Sequence, residues 1–127
     1  MHRPLILVMD NDENILSAFE DYLRKKNCTM VGVPTVEKGL KKIKLQNFDL
    51  LITDIRVNSN PGIKFILQAK KLQSTLPVIA ITSYPDEISE TNLKKYGADY
   101  FFIKPLELRK LDRAVSRCLK LKPKIIS

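Results

Sequence analysis

The stretch Phe48-Asp49-Leu50-Leu51-Ile52-Thr53-Asp54-Ile55-Arg56 constrains the fold most, because its apolar run ends abruptly in the carboxylate of Asp54. A run of that length without polar alternation reads as a strand buried on both faces, as in the middle of a parallel sheet. Three other runs end the same way. Leu5 to Met9 stops at Asp10-Asn11-Asp12, Val78 to Ile81 at Thr82-Ser83, and Tyr100 to Ile103 at Lys104-Pro105. Functional groups in parallel sheets gather at the carboxyl ends of the strands. If the four strands are neighbours, Asp10, Asp54, Thr82 and Lys104 meet at one end. Two carboxylates, a hydroxyl and an ammonium form a site for a hard cation and a phosphoryl group.

Helical periodicity fills the intervals between these strands. After Asp12 as N-cap, Ile15, Leu16, Phe19, Tyr22 and Leu23 fall on one face, and Arg24-Lys25-Lys26 suit the negative end of the helix dipole. Cys28 to Val33 is a weaker strand, and Gly32 within it suits a sheet edge. Pro34-Thr35 opens a second helix with Val36, Leu40 and Ile43 inward, although Gly39 costs it about 1 kcal/mol. A turn-rich loop from Arg56 to Gly62 leads to a third helix with Ile63, Ile66, Leu67 and Leu72 as its apolar side. Pro85-Asp86-Glu87 starts a fourth helix that ends before Gly97, and its apolar face of Ile88, Leu93 and Tyr96 is thin. The last helix is expected from about Leu106 to Leu121. It has Leu108, Leu111, Val115 and Leu119 inward and a basic stripe of Arg109, Arg113, Arg117 and Lys120 outward. Strands alternating with helices define an α/β chain of βαβ units with right-handed crossovers.

A chain of 127 residues with 44% hydrophobic content holds one domain with a full core. No apolar run approaches the roughly 20 residues that span a bilayer, and no signal-peptide core follows Met1, so a cytoplasmic chain is expected. Cys28 and Cys118 have neither metal spacing nor a disulfide framework and read as reduced packing residues. His2 lies in the N-terminal tail and reads as inert. The net charge of +8 must lie away from the acidic site, and it favours anionic partners in a general way. The basic stripe lacks an accompanying recognition helix or aromatic platform, so direct nucleic-acid binding is not expected.

The acidic turn Asp10-Asn11-Asp12, Asp54 with Gly62 eight residues later, Thr82-Ser83, and Gly97-Ala98-Asp99 leading to Lys104-Pro105 together resemble the receiver domain of two-component response regulators. The resemblance covers nearly the whole chain. It implies a five-stranded parallel sheet flanked by five helices in the flavodoxin-like order 2-1-3-4-5, with residues 1–122 as the domain and 123–127 as a tail or the start of a linker. It implies that Asp54 accepts a phosphoryl group from a histidine kinase or phosphotransfer protein, within a phosphorelay and without the domain being a substrate-converting enzyme. Mg²⁺ would be held by Asp10, position 11, Asp54 and the backbone carbonyl of Arg56. Lys104 would pair with the phosphoryl group, and Thr82 would bond to it once it arrives. Thr82 and Phe101 would pass the change to an output domain or downstream protein through the face of the fourth helix, fifth strand and last helix. The resemblance also implies a cis bond between Lys104 and Pro105 and allows a homodimer.

This sequence departs from the family pattern at three places. Asn11 stands where a second acidic ligand is usual, so a weakened Mg²⁺ site is expected. Asn58 and Pro61 replace a proline and an acidic residue in the loop after Asp54. Asn11 favours a competing reading, a degenerate receiver acting as a phosphorylation-independent interaction module. Intact Asp54, Thr82 and Lys104 favour the phosphorylatable one. A phosphatase reading with Asp12 as nucleophile is also chemically coherent, but it lacks a late pair of metal-binding aspartates and leaves Asp54 unexplained.

Overall fold

The computed structural model of the protein describes residues 3–55, 61–83 and 90–121. Its elements run β1 (Leu5–Met9), α1 (Glu13–Lys25), β2 (Thr29–Val33), α2 (Val36–Leu45), β3 (Leu50–Asp54), α3 (Pro61–Leu72), β4 (Val78–Thr82), α4 (Glu90–Lys95), β5 (Tyr100–Ile103) and α5 (Leu108–Leu119). All strand pairs are parallel, in the order β2-β1-β3-β4-β5 that the resemblance implied. The position of each strand follows from its composition. The largely apolar strands β3 and β4 are buried at every residue, whereas β2 and β5, at the edges, are partly exposed.

Alternate strand residues feed two cores. Leu7, Met9, Leu51, Ile55, Val78 and Ala80 pack with Ile43, Phe65, Ile66 and Leu93, which places α2, α3 and α4 on one face. Ile6, Val8, Leu50, Ile52, Ile79 and Ile81 pack with Phe19, Leu23, Leu111 and Val115, which places α1 and α5 on the other. Burying one such aliphatic side chain contributes about 1.5–3 kcal/mol, so the double-sided sheet supplies most of the cohesion.

Local chemistry sets the helix starts. The Asp12 carboxylate accepts the Asn14 N–H at 2.9 Å, and the Thr35 hydroxyl accepts the Lys38 N–H at 3.2 Å. The glycine in α2 also has a structural reason. A Cβ at Gly39 would sit 2.7 Å from Cζ of Phe65, so the ring occupies the space that a side chain there would need.

Several faces differ from the sequence expectation. In α3, Leu67 and Leu72 are exposed, and Phe65 and Ala69 are buried in their place. Leu72 ends the helix, and Leu76 in the following loop fills the core instead. In α5, which begins at Leu108 rather than Leu106, Leu108 lies at the rim of the groove against α1 while Leu106 packs inward. Cys28 precedes β2, its thiol facing the Lys26 carbonyl at 3.6 Å, and both cysteines are free. The expected start of the fourth helix with Ile88, most of the loop after Asp54, and the tail 123–127 lie outside the described residues. Among the described residues, no helix is long and apolar enough to cross a membrane.

Candidate functional site

Register brings the predicted site residues together. Met9 pairs with Thr53, Asp54 with Ile81, and Thr82 with Ile103, so the next residues, Asp10 and Lys104, emerge beside Asp54 and Thr82 at the carboxyl edge. Backbone bonds continue past the strands and hold that edge. Asp10 N–H donates to the Val33 carbonyl at 3.1 Å, Ile55 N–H to the Ile81 carbonyl at 2.7 Å, and Lys104 N–H to the Thr82 carbonyl at 2.8 Å.

The Lys104 ammonium lies 2.8 Å from Asp10 Oδ2 and 3.4 Å from Asp54 Oδ1, and both carboxylates are buried. Burial alone would lower the Lys104 pKa. The Asp10 hydrogen bond and the charges of Asp54 and Asp10 outweigh that effect and hold the ammonium above its ordinary value. It is therefore a fixed positive group at neutral pH. Asp10 Oδ1 accepts the Asp12 N–H at 2.9 Å, which turns the acidic loop so that Asp12 caps α1 and Asp10 faces Lys104. The Asp12 carboxylate is thus used as a helix cap, against the phosphatase reading.

Beside Asp54 lies a hollow of about 260 Å³ lined by Met9, Asn11, Pro34, Thr35, Val36, Asp54 and Gly62. A Cβ at Gly62 would approach Ile55 Cα to 3.1 Å, so the start of α3 passes close against the backbone after β3. The donor chemistry fits Mg²⁺, because Asp10 and Asp54 are adjoining carboxylates and the Asn11 amide borders the same hollow as Asp54. Position 11 carries a neutral amide where a carboxylate would add charge. Arg56, expected to give a carbonyl ligand, lies outside the described residues.

Thr82 is fully buried, and its hydroxyl donates to the Ile55 carbonyl at 3.4 Å, a long contact for a hydroxyl. Phe101 is partly buried, pairs in register with Ala80 and packs on the α2–α4 side of the core. The Lys104–Pro105 bond is cis, as the resemblance implied.

One polar cluster was not anticipated. Lys26, expected only to complement a helix dipole, is buried at the end of α1, and its ammonium donates at 2.8 Å both to Asp112 Oδ1 and to Ser116 Oγ of α5. Tyr22 O–H donates to the same Asp112 oxygen. Burial first, then the Asp112 bond and charge, push the Tyr22 phenol far above its usual range. The available signal was Asp112 itself, the one acid of α5, placed on the arc of the helix that faces inward.

The family model of the response regulator receiver domain matches residues 6–116, and the chain belongs to that family. It is a family of signalling domains from two-component systems. The chain is 28% identical over 118 residues to the response regulator ArlR of Staphylococcus haemolyticus, covering 93% of this chain and 53% of that protein. It thus spans about half the length of that relative. Its fold is similar to a CheY-like receiver domain from Methanospirillum hungatei, with a TM-score of 0.84, 27% identity and coverage of 94% and 95% of the two chains. It is similar also to TrrA of Thermotoga maritima, solved with Mg²⁺ and BeF, with a TM-score of 0.80, 25% identity and coverage of 91% and 99%.

Proposed function

We propose that this domain accepts a phosphoryl group on Asp54 from a histidine kinase or phosphotransfer protein in the cytoplasm and relays the change to an output domain or downstream protein. The observation that carries this reading is the Lys104 ammonium held between Asp10 and Asp54 at 2.8 and 3.4 Å, beside an open hollow. In the transfer, an oxygen of Asp54 forms the new bond to phosphorus as the bond to the donor's imidazole nitrogen breaks. Lys104, already charged, pairs with a phosphoryl oxygen as Asp54 gives up its own charge to the acyl phosphate. Mg²⁺, held by Asp10, Asp54, the Asn11 amide and the Arg56 carbonyl, would neutralise phosphoryl oxygens when bound. The Thr82 hydroxyl exchanges its long bond to Ile55 for a phosphoryl oxygen, and Phe101 follows it inward. The relay then reaches the face of α4, β5 and α5. The same Mg²⁺-dependent site would release the phosphoryl group to water.

Incubation with a small acyl phosphate and Mg²⁺ should add one phosphoryl mass to the protein and none to Asp54→Ala. An adduct retained in the variant would refute Asp54 as the acceptor. Asn11 favours the second reading, a receiver whose pocket no longer cycles. That reading wins if the unaltered protein takes no phosphoryl group even at saturating Mg²⁺.

A further inference from the structure

Helices α2 and α3 carry seven lysines and a single acid, Glu37, and so hold six of the eight net positive charges of the chain. Lys70 pairs with Asp99 at 3.2 Å, and Lys41 reaches Glu37 at 4.0 Å with both side chains in water. Among the described residues, no carboxylate pairs with Lys38, Lys42, Lys44, Lys64 or Lys71. The outward positions of the two helices repeat one pattern. On α2, Lys38, Lys41, Lys42 and Leu45 stand at i, i+3, i+4 and i+7 and are all exposed, opposite the buried Gly39 and Ile43. On α3, Lys64, Leu67, Gln68 and Lys71 stand at the same intervals, exposed opposite Phe65, Ile66 and Ala69. The helices lie side by side and run in one direction. The Phe65 ring meets Gly39 near their starts, and Gln73 Nε2 donates to the Ile43 and Gln46 carbonyls at 3.1 and 2.7 Å at their ends. The two faces therefore join into one surface on the same side of the sheet. Leucines interrupt its charge: Leu45 is 80% exposed, Leu72 47% and Leu67 40%. Leu45 directly precedes Gln46 and Leu72 directly precedes Gln73, so both stand at the end where those two residues bond.

We propose that this surface docks on an anionic lipid bilayer, its lysines against acidic headgroups and its leucines at the boundary with the acyl chains. Clustered basic residues on amphipathic helices are attracted to an acidic leaflet, and apolar side chains beside them add burial that salt does not screen. The choice of cation agrees with such a partner. Lysine is a compact, strongly hydrated point charge that suits a diffuse field of headgroups, whereas recognition of carboxylates or base edges favours the planar fork of arginine, absent from both helices. The one aromatic residue of the two helices, Phe65, is buried, so bases find no stacking platform, and a nucleic-acid backbone would leave the leucines wet. A second copy docked face to face would set lysines against lysines. Exposed acids lie on the other side of the sheet, where Glu13, Glu20 and Asp21 of α1 would turn away from an anionic surface. The hollow beside Asp54 is lined by Thr35, Val36 and Gly62 at the starts of α2 and α3, and Leu45 and Leu72 mark their opposite ends. Docking led by the leucines therefore leaves that hollow open, and the inference does not rest on phosphorylation of Asp54.

Sedimentation of the full chain with lipid vesicles tests the proposal. Vesicles of phosphatidylcholine with about 30% phosphatidylserine should carry the protein down at low salt, and vesicles of phosphatidylcholine alone should not. Salt at about 0.5 M should release most of it. Lys41→Glu with Lys71→Glu should weaken binding by about tenfold or more. Arg113→Glu with Arg117→Glu makes the same change in net charge on α5, across the sheet, and should weaken it by less than about threefold. Leu45→Ser keeps every charge and should still weaken binding by about threefold or more. All five substituted side chains are exposed, and thermal unfolding followed by circular dichroism verifies that each variant keeps the fold. Absence of binding to the acidic vesicles, equal binding to the neutral ones, or equal loss in the two charge reversals would each overturn the proposal. So would indifference to Leu45→Ser, or release of the protein from vesicles by a short DNA duplex at equal phosphate concentration.

Discussion

Lys26 Nζ and Asp112 Oδ1 lie 2.8 Å apart, with both side chains almost wholly removed from solvent, and the pair joins the C-terminal end of α1 to the middle of α5 across 86 residues of sequence. Desolvation offsets much of the attraction in such a pair, so its net contribution to stability is small. Its removal by halves is a different matter.

Lys26→Met leaves the buried Asp112 carboxylate without the ammonium that faces it. We expect a loss of about 3–5 kcal/mol in urea-induced unfolding, and recovery of most of it in Lys26→Met with Asp112→Leu, where neither charge remains. Equal stability of Lys26→Met and the unaltered protein would mean that the pair is not formed in solution.

With a neutral amide at Asn11, the proposed cation site should bind Mg²⁺ weakly. A unit charge pair at about 4 Å is worth on the order of 4 kcal/mol at an effective dielectric near 20, before water and other ligands reduce it. A net deficit of about 1.4–2.8 kcal/mol corresponds to Mg²⁺ binding weaker by roughly 10–100-fold. Asp12 does not make up the charge, because its carboxylate is bonded to the Asn14 N–H. Asn11→Asp should tighten Mg²⁺ by that factor in a titration and speed phosphoryl uptake at limiting metal. Equal affinities would remove position 11 from the metal shell.

The proposed relay through Thr82 would have a measurable locus. Leu93 of α4 is fully buried while Tyr96, just after the helix, is 38% exposed, so the helix can shift at small cost in packing. Amide exchange with and without the acyl phosphate should differ most in α4 and β5. Thr82→Ala should keep phosphoryl uptake and lose most of that difference. Changes confined to α1 and α2 would count against the relay.

Cys118 should be a slow thiol. Burial, reinforced by the Asp99 charge and opposed by Lys70, pushes its pKa up to about 12. At pH 8 about one molecule in 10,000 then carries the thiolate, against roughly one in four for an unperturbed cysteine. Labelling by a disulfide reagent should be slower than for the unfolded chain by about three orders of magnitude and should rise about tenfold per pH unit up to pH 11. Labelling of Cys28→Ala at the unfolded rate would show Cys118 to be accessible.

The strands and the site could be read from sequence because their signals are local. An apolar run and the polar residue that ends it are neighbours, but the strand order that brings Asp10, Asp54, Thr82 and Lys104 to one edge came from the family resemblance and not from periodicity. The helix faces were less legible. Periodicity marked a broad stripe on α3, but which residues of that stripe are covered depends on the elements above it, and Phe65 and Ala69 took the places given to Leu67 and Leu72. The pairing of Lys26 with Asp112 was hidden for a related reason: Lys26 alone reads as an ordinary surface charge, Asp112 shows only as a lone acid on the inward arc, and the packing of α1 beside α5 makes them partners.

The Phe65 ring seated over Gly39 makes two positions on different helices answer to each other. A single added carbon at 39 has nowhere to go unless the ring at 65 shrinks or α2 lifts from α3. In a library randomised at both positions, folded members would therefore be recovered as compensating pairs, bulk moving from one helix to the other while its total stayed nearly constant. The separation of α2 from α3 is thus inherited jointly by two residues, and neither can drift alone.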